Sequence, residues 1–207
     1  MRDRVAADKK ELVQRFRTEG ILDAARRVIA RRGLEKATME QFASEAGISK
    51  ATIYLYFKNK ESIYFHCVID RFDELIKVLK QSIEGMDDPM QKIETLIRAH
   101  MKEMESDMDF FRVFFTESRG MFLDHSTEFG QEFAKRQQEF SSLMSGTLKE
   151  CMDKGILREM DPVKGYSLLF SMVRGMVMCK ILNCDNTPLS SDAGLVLDVF
   201  CNGVKLK

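Results

Sequence analysis

The chain has 207 residues, of which 44% are hydrophobic and 31% charged, and its acidic and basic residues are equal in number. This composition is typical of a globular protein of one or two domains and excludes a disordered chain. No window approaches the roughly 18 uninterrupted apolar residues of a membrane-spanning helix, and the first residues lack the apolar core of a signal peptide. We therefore expect a cytoplasmic protein with no membrane partner.

The charge is unevenly distributed along the chain. Residues 1–66 contain 14 Lys and Arg against 9 Asp and Glu, a net charge of +5, and the remainder has 18 against 23, a net charge of −5. A basic first third is typical of a protein that binds nucleic acid. A solvated basic surface would account for the same excess.

Apolar residues recur at spacings of three and four along most of the chain, and alternating β-branched runs are absent, so the fold is predicted to be all-α. Residues 1–18 either lengthen the first helix or form an arm that touches DNA. The spacing of Leu12, Val13 and Phe16 favours the helix. About nine helices are predicted: one ending near Arg32, then 39–46, 50–57, 60–83, 89–106, 108–118, 126–154, 162–183 and 190–204.

The second and third predicted helices have clear ends. Thr38 is an N-cap with Gln41 as its capping-box partner, Gly47 ends the second helix, and Ser49 is the N-cap of the third. Two short helices joined by four residues have the proportions of a helix-turn-helix.

The third predicted helix separates into two faces at 100° per residue. Ile53 and Phe57 fall together and should pack beneath the first two helices. The outer face and its borders carry Lys50, Ala51, Thr52, Tyr54, Leu55 and Tyr56. Tyr hydroxyls can donate to phosphate oxygens, and small side chains let a helix approach base edges in the major groove. Packing of this face on a neighbouring domain is the alternative.

Residues 21–64, ILDAARRVIARRGLEKATMEQFASEAGISKATIYLYFKNKESIY, resemble the amino-terminal DNA-binding domain of the TetR family of transcriptional regulators. The matching positions are Gly33, Thr38, Ala43, Ala46, Gly47, Ser49, Ala51, Thr52, Ile53, Tyr54, Tyr56, Phe57, Lys60 and Glu61. Position 51 is commonly Gly in the family. Because Ala51 lies in the first turn of the outer face, it is expected to alter which bases are read.

The resemblance implies a homodimeric, ligand-responsive regulator, chiefly a repressor, which binds a pseudo-palindromic operator in double-stranded DNA and is released by an apolar or amphipathic small molecule. It implies a three-helix DNA-binding domain at residues 1–66 and a ligand-binding and dimerisation domain at residues 67–207. The residues expected at the DNA are Thr38, Ser49, Lys50, Ala51, Thr52, Tyr54, Tyr56 and Lys60. Lys50, Ala51 and Thr52 are the candidates for base contact.

The segment after residue 100 is rich in Phe and Met, whose aromatic and thioether groups suit an adaptable apolar pocket. The predicted effector contacts are Met101, Met104, Phe110, Phe111, Phe114, Phe115 and Phe122. Ordinary core packing is the alternative for each of them.

The last two predicted helices are the most apolar of the chain. A helix that is apolar on more than one face must bury the excess, and a two-fold bundle between subunits does so. The predicted dimer contacts are Met172, Gly175, Met176, Cys179, Leu197 and Phe200. The alternative is that both helices are central to the core of one protomer.

Two other functions remain open from the sequence. A thiol sensor would use Cys179 and Cys184, or Cys67, and needs an exposed thiol of low pKa. An all-helical enzyme or interaction module would carry a coincidental helix-turn-helix. The three histidines are far apart and no nucleophile motif accompanies them, so no catalytic residue, metal ligand or cofactor is predicted.

Overall fold

The structure is a computed structural model that describes residues 2–117, 122, 124–183 and 187–204. Within these residues it contains nine α-helices, one 3-10 helix and no strand, which confirms the all-α fold. The helices are α1 (Arg2–Arg32), α2 (Met39–Glu45), α3 (Lys50–Tyr54), α4 (Lys60–Ser82), α5 (Pro89–Ser106), α6 (Met108–Glu117), α7 (Glu128–Asp153), α8 (Pro162–Asn183) and α9 (Ala193–Val204), with the 3-10 helix Leu189–Asp192 before α9.

Most predicted helix ends agree with the structure to within two residues, and two differ. Helix α3 ends at Tyr54 instead of residue 57, because the N–H of Leu55 bonds to the Thr52 carbonyl at 3.1 Å in a tight turn. The last predicted helix begins with the separate 3-10 turn. Residues 2–18 lengthen α1, as the apolar spacing predicts, although Phe16 is 64% exposed.

The chain forms two compact units, the first of residues 1–71 and 113–121 and the second of residues 72–112 and 122–207. Helices α4 and α6 each contribute residues to both units. The predicted boundary between residues 66 and 67 also falls within α4.

In the first unit, α2 packs against α1 and α3, and local hydrogen bonds set the helix ends. The Thr38 hydroxyl accepts from the Gln41 N–H at 3.3 Å, and the Gln41 side chain accepts from the Thr38 N–H at 3.1 Å. The Ser49 hydroxyl accepts from the Thr52 N–H at 3.1 Å. Gly47 follows α2 with φ of 67°, a left-handed conformation that glycine adopts without strain. The predicted caps are confirmed.

The core beneath the helix-turn-helix contains both residues predicted to face inward. Ile53 and Phe57 are buried, and the Phe57 ring meets the His66 ring edge-on with 5.5 Å between centroids. The other buried apolar side chains of this unit include Ile21, Leu22, Ala25, Val28, Ile29, Phe42, Ala43, Ile63 and Tyr64.

Helix α5 is central to the second unit, where it packs against α7, α8, α9 and the 3-10 helix. Its start is fixed by Asp88, whose carboxylate accepts from the N–H of Met90 at 2.8 Å and of Gln91 at 3.3 Å. His100 of α5 is buried, with its ring edge-on to Phe140 and parallel to Phe170. Burial lowers the pKa of His100 to about 4.

Candidate functional sites

The outer face of α3 is accessible. Ala51, Tyr54 and Leu55 are exposed, and Thr52 and Tyr56 are half-buried. Leu55 is 83% exposed, which is unusual for a large apolar side chain. The remaining residues predicted at the DNA are Thr38, Ser49 and Lys50, which are exposed, and Lys60, which is half-buried. Their contacts with DNA stay predictions.

Two hydroxyl groups are held together at the start of α3. The hydroxyl oxygens of Ser49 and Thr52 lie 2.8 Å apart, within hydrogen-bonding distance. Thr52 is therefore oriented by the cap of its own helix, and its methyl group has a fixed direction on this face.

Lys50 forms an ion pair with Glu40, which stands in the first turn of α2. The hydrogen bond from Lys50 lowers the pKa of the Glu40 carboxyl, and the same bond raises the pKa of Lys50. Both side chains are more than half exposed, so the pair is screened by solvent. Glu40 is absent from the residues predicted at the DNA. An acidic residue in a first helical turn is common for reasons of helix dipole alone, so its position in the sequence did not single it out.

Lys60 is directed at the backbone of the segment between α1 and α2. Its ammonium donates to the carbonyl oxygens of Leu34 at 2.9 Å and Glu35 at 2.8 Å. Its expected contact with a phosphate stays a prediction, but most of its hydrogen-bonding capacity is already used within the protein.

The residues predicted to contact an effector divide between the two units. Phe114 and Phe115 belong to residues 113–121, hence to the first unit, and their ring centroids are 5.3 Å apart. Those of the second unit are Met101, Met104, Phe110, Phe111 and Phe122, and all are buried. Their contact with an effector stays a prediction.

A surface depression of about 500 Å³ lies in the second unit beside α5. Arg98 and Lys102, one helical turn apart on α5, provide its two cations. Thr95, Ala99, Pro188, Ser190 and Ser191 complete its lining. Arg98 pairs with Glu94 and the Ser190 hydroxyl donates to Glu105, so an anionic group such as a phosphate would bind to Lys102 and compete with these carboxylates for the other two.

Helix α8 has an apolar face that the described part of the chain does not cover. By length and composition residues 162–182 could span a membrane, and 28% of an 18-residue window within them is buried. Leu168 is 59% and Leu182 72% exposed, and Gly175 lies between them at heptad spacing. Cys179 is exposed, and the predicted dimer contacts Met172 and Met176 are half-buried.

On α9 the two predicted dimer contacts, Leu197 and Phe200, are buried within the protomer, 8% and 4% exposed. Their contact with a second copy stays a prediction. Leu195 and Val199 are the exposed apolar residues of this helix, at 56% and 52%. Because α9 is apolar around most of its circumference, its periodicity did not reveal which side faces inward.

Two of the cysteines, Cys67 and Cys151, do not have the character that a thiol sensor requires, and the comparisons with known proteins below give no support to such a sensor. Burial raises the pKa of Cys67 to about 12 and that of Cys151 to about 11, whereas a reactive thiol needs a low pKa. Cys184 lies outside the described residues.

Two family models match the chain. Residues 21–67 match bacterial regulatory proteins of the tetR family, and residues 86–178 match the tetracyclin repressor-like carboxy-terminal domain. The matched segments cover the helix-turn-helix, helices α5, α6 and α7, and most of α8.

Individual relatives agree with the family models over nearly the full length. The fatty acid metabolism regulator protein of Bacillus subtilis is 25% identical over 188 residues, which cover 90% of this chain and 95% of the relative. The transcriptional regulator TtgR of Pseudomonas putida is 25% identical over 207 residues, with 95% of each chain covered. The crystal structure of the regulator FadR from Bacillus subtilis in complex with stearoyl-CoA superposes with a TM-score of 0.79 at 25% identity and covers 89% of this chain and 98% of that one.

Proposed function

Because the chain belongs to the TetR family of transcriptional regulators, as a ligand-responsive DNA-binding protein and not an enzyme, we infer that α3 is its reading helix. The observation that carries this inference is the accessible outer face of α3, on a helix whose start and opposite face are fixed. TetR-family regulators bind DNA and small-molecule effectors, typically as dimers. In such a dimer, two reading helices enter successive major grooves about 34–36 Å apart.

Different groups on this face serve different purposes. Lys50, Ala51 and Thr52 are placed to meet base edges, where an ammonium reads guanine and methyl groups meet the thymine methyl. Leu55, with its exposed apolar side chain, joins this set. Tyr54 donates its hydroxyl to a phosphate, which positions the helix without reading sequence.

The reading helix is tested with an operator that the wild-type protein selects from a random-sequence DNA library. Lys50→Ala should change the preference among operator variants, and Tyr54→Phe should weaken binding to all DNA sequences by a similar factor. Fluorescence anisotropy measures both. Equal losses for both variants on operator and random DNA would contradict this division of roles, and failure of the wild type to select any sequence would contradict the function.

We also propose that the effector is a long-chain acyl-CoA. The support is the relative that binds stearoyl-CoA, together with the buried Phe and Met side chains of the second unit, which suit an acyl chain, and the depression with Arg98 and Lys102, which suits the phosphates of a coenzyme A group. An effector that binds better to the state with the wrong spacing of reading helices lowers operator affinity by that difference in free energy.

Titration calorimetry with stearoyl-CoA, stearate and coenzyme A tests the effector. Stearoyl-CoA should bind most tightly and release the operator. Lys102→Ala should weaken the binding of stearoyl-CoA without affecting that of stearate. Lys77→Ala, which removes a lysine on α4, should leave the affinity for both unchanged. If stearate bound as tightly as stearoyl-CoA, the coenzyme A group would make no contribution to binding, and the effector would be a fatty acid.

The dimer is proposed to form through the exposed apolar faces of α8 and α9. Leu168, Gly175 and Leu182 on α8 and Leu195 and Val199 on α9 are the residues whose burial a second copy would complete. Self-complementary contact across a two-fold axis buries each such patch against its copy.

A further inference from the structure

Four hydrogen bonds hold the backbone of two residues, Leu34 and Glu35, just after α1. The carboxylate of Glu117, the last residue of α6, accepts from the N–H of Leu34 at 2.8 Å and of Glu35 at 3.2 Å. The Lys60 ammonium donates to the carbonyl oxygens of the same two residues. All four residues belong to the first unit. We name Glu117, Lys60 and the backbone of residues 34 and 35 the loop clamp.

The clamp depends on a glycine. Gly33 has φ of 77°, a conformation that glycine adopts readily and other residues rarely. A Cβ at this position would lie 2.7 Å from a carboxylate oxygen of Glu117, closer than van der Waals contact permits. Gly33 therefore both reverses the chain direction after α1 and lets the carboxylate reach the backbone.

The carboxylate occupies a place that local electrostatics does not favour. It lies beside the carboxyl-terminal end of α1, where the helix dipole favours a positive charge. The two amide hydrogen bonds and the nearby Lys60 ammonium offset this cost. Hydrogen bonds to an ionised acceptor are about twice as strong as those between neutral groups.

The clamped loop leads directly to the DNA-facing part of the molecule. The N–H of Ala37 bonds to the Leu34 carbonyl at 3.3 Å, and Thr38, the next residue, is the N-cap of α2. Helix α2 packs against α3. The position of the loop backbone therefore sets where α2 begins and where the exposed Thr38 lies.

We propose that Glu117 is a positioning residue for DNA recognition, whose carboxylate fixes the loop between α1 and α2 so that Thr38 and the start of α2 meet the DNA backbone. This inference rests on the DNA interface proposed above. The predicted change in DNA affinity is opposite to the change expected from charge repulsion alone. Removing a carboxylate ordinarily strengthens binding to a polyanion, but removing this one should weaken it.

The matched pair of variants is Glu117→Ala and Glu35→Ala. Each removes one carboxylate, but the Glu35 side chain is not part of the clamp, whose bonds at this residue come from its backbone. Fluorescence anisotropy at fixed salt measures operator affinity, and hydrogen exchange measured by mass spectrometry follows the amides of residues 33–37. Glu117→Ala should weaken operator binding about tenfold and speed exchange of these amides about tenfold. Glu35→Ala should leave affinity unchanged or slightly tighter.

Glu117→Gln provides a rescue test, because its amide oxygen can still accept from both N–H groups without the negative charge. It should bind the operator within about threefold of the wild type and keep the loop amides protected. The inference is overturned if Glu117→Ala binds as tightly as the wild type, if Glu35→Ala loses as much affinity, or if Glu117→Gln is as weak as Glu117→Ala. If the wild type itself binds no operator, the proposed interface fails, while the exchange experiment still tests the clamp.

Discussion

The helix-turn-helix and the pair of helices α8 and α9 are specified in different ways. In the helix-turn-helix, the bonds that begin each helix join residues three positions apart, as in Thr38 with Gln41 and Ser49 with Thr52. On α8 and α9, the main feature is an apolar surface, including Leu168 and Leu195, that residues 2–117, 122, 124–183 and 187–204 leave exposed. Bonds between residues close in sequence therefore begin the helices of the helix-turn-helix, whereas we propose that a second copy of the chain buries the exposed apolar surface of α8 and α9.

The largest expected effect concerns that second surface. Leu168→Glu places a charge on the exposed face of α8, where burial of an unpaired carboxylate is strongly unfavourable. The protein should become monomeric at micromolar concentration. Its operator affinity should fall roughly 100-fold, because a monomer contacts one half-site where a dimer contacts two. Light scattering after size exclusion gives the mass. Leu12→Glu is the control, since Leu12 is similarly exposed, at 54%, but lies on α1. A dimeric Leu168→Glu protein would place the interface elsewhere.

The buried His100 predicts a pH dependence of the second unit. Its pKa is about 4 in the folded protein and about 6.5 in the unfolded chain. The unfolded state therefore binds the proton more readily between these values, so the free energy of unfolding should fall as pH drops from 6.5 to 4. The contribution is at most about 3 kcal/mol.

Urea unfolding at several pH values measures this dependence. His100→Phe should remove this part of the slope, since its neighbours are the rings of Phe140 and Phe170. His125→Asn, which alters an exposed histidine, should retain the slope. An unchanged slope in His100→Phe would contradict the prediction.

Substitutions at two glycines of the first unit distinguish the cost of backbone strain from the cost of losing a contact with a residue remote in sequence. Gly33 and Gly47 both have positive φ, but only at Gly33 would a Cβ meet Glu117. Gly47→Ala should cost about 1 kcal/mol from backbone strain alone. Gly33→Ala should cost about 1 kcal/mol more, because it also displaces the carboxylate from the loop clamp.

Denaturant unfolding measures both costs, and a double-mutant cycle is the control. In a Glu117→Ala background the two glycine substitutions should become equally costly. A difference that persists without Glu117 would have another origin.

The smallest expected effect concerns the ion pair on the reading face. Glu40→Gln releases Lys50, so affinity for random-sequence DNA should rise about threefold and its salt dependence should steepen by no more than about one phosphate contact. Anisotropy titrations over a range of salt concentrations measure both quantities. In a Lys50→Ala background the same substitution should have little effect. An equal gain in that background would show that Glu40 acts by its charge and not through Lys50.

The sequence by itself determined the all-α fold, most of the helix ends and the inward face of the helix-turn-helix. These features depend on caps, glycines and 3.6-residue periodicity, which act between residues close together in the chain. The periodicity alone therefore assigns Ile53 and Phe57 to the core, and both are buried. The resemblance to the TetR family came from the same local spacing.

The tertiary structure decided the features that depend on distant partners. It directed Lys60 and Glu117 to one loop, paired Lys50 with Glu40, and assigned Phe114 and Phe115 to the first unit. It also turned Leu197 inward and Leu195 outward on α9. Side-chain partners remote in sequence leave no periodic pattern, and a helix that is apolar on most sides has no preferred inward face until its neighbours are packed against it.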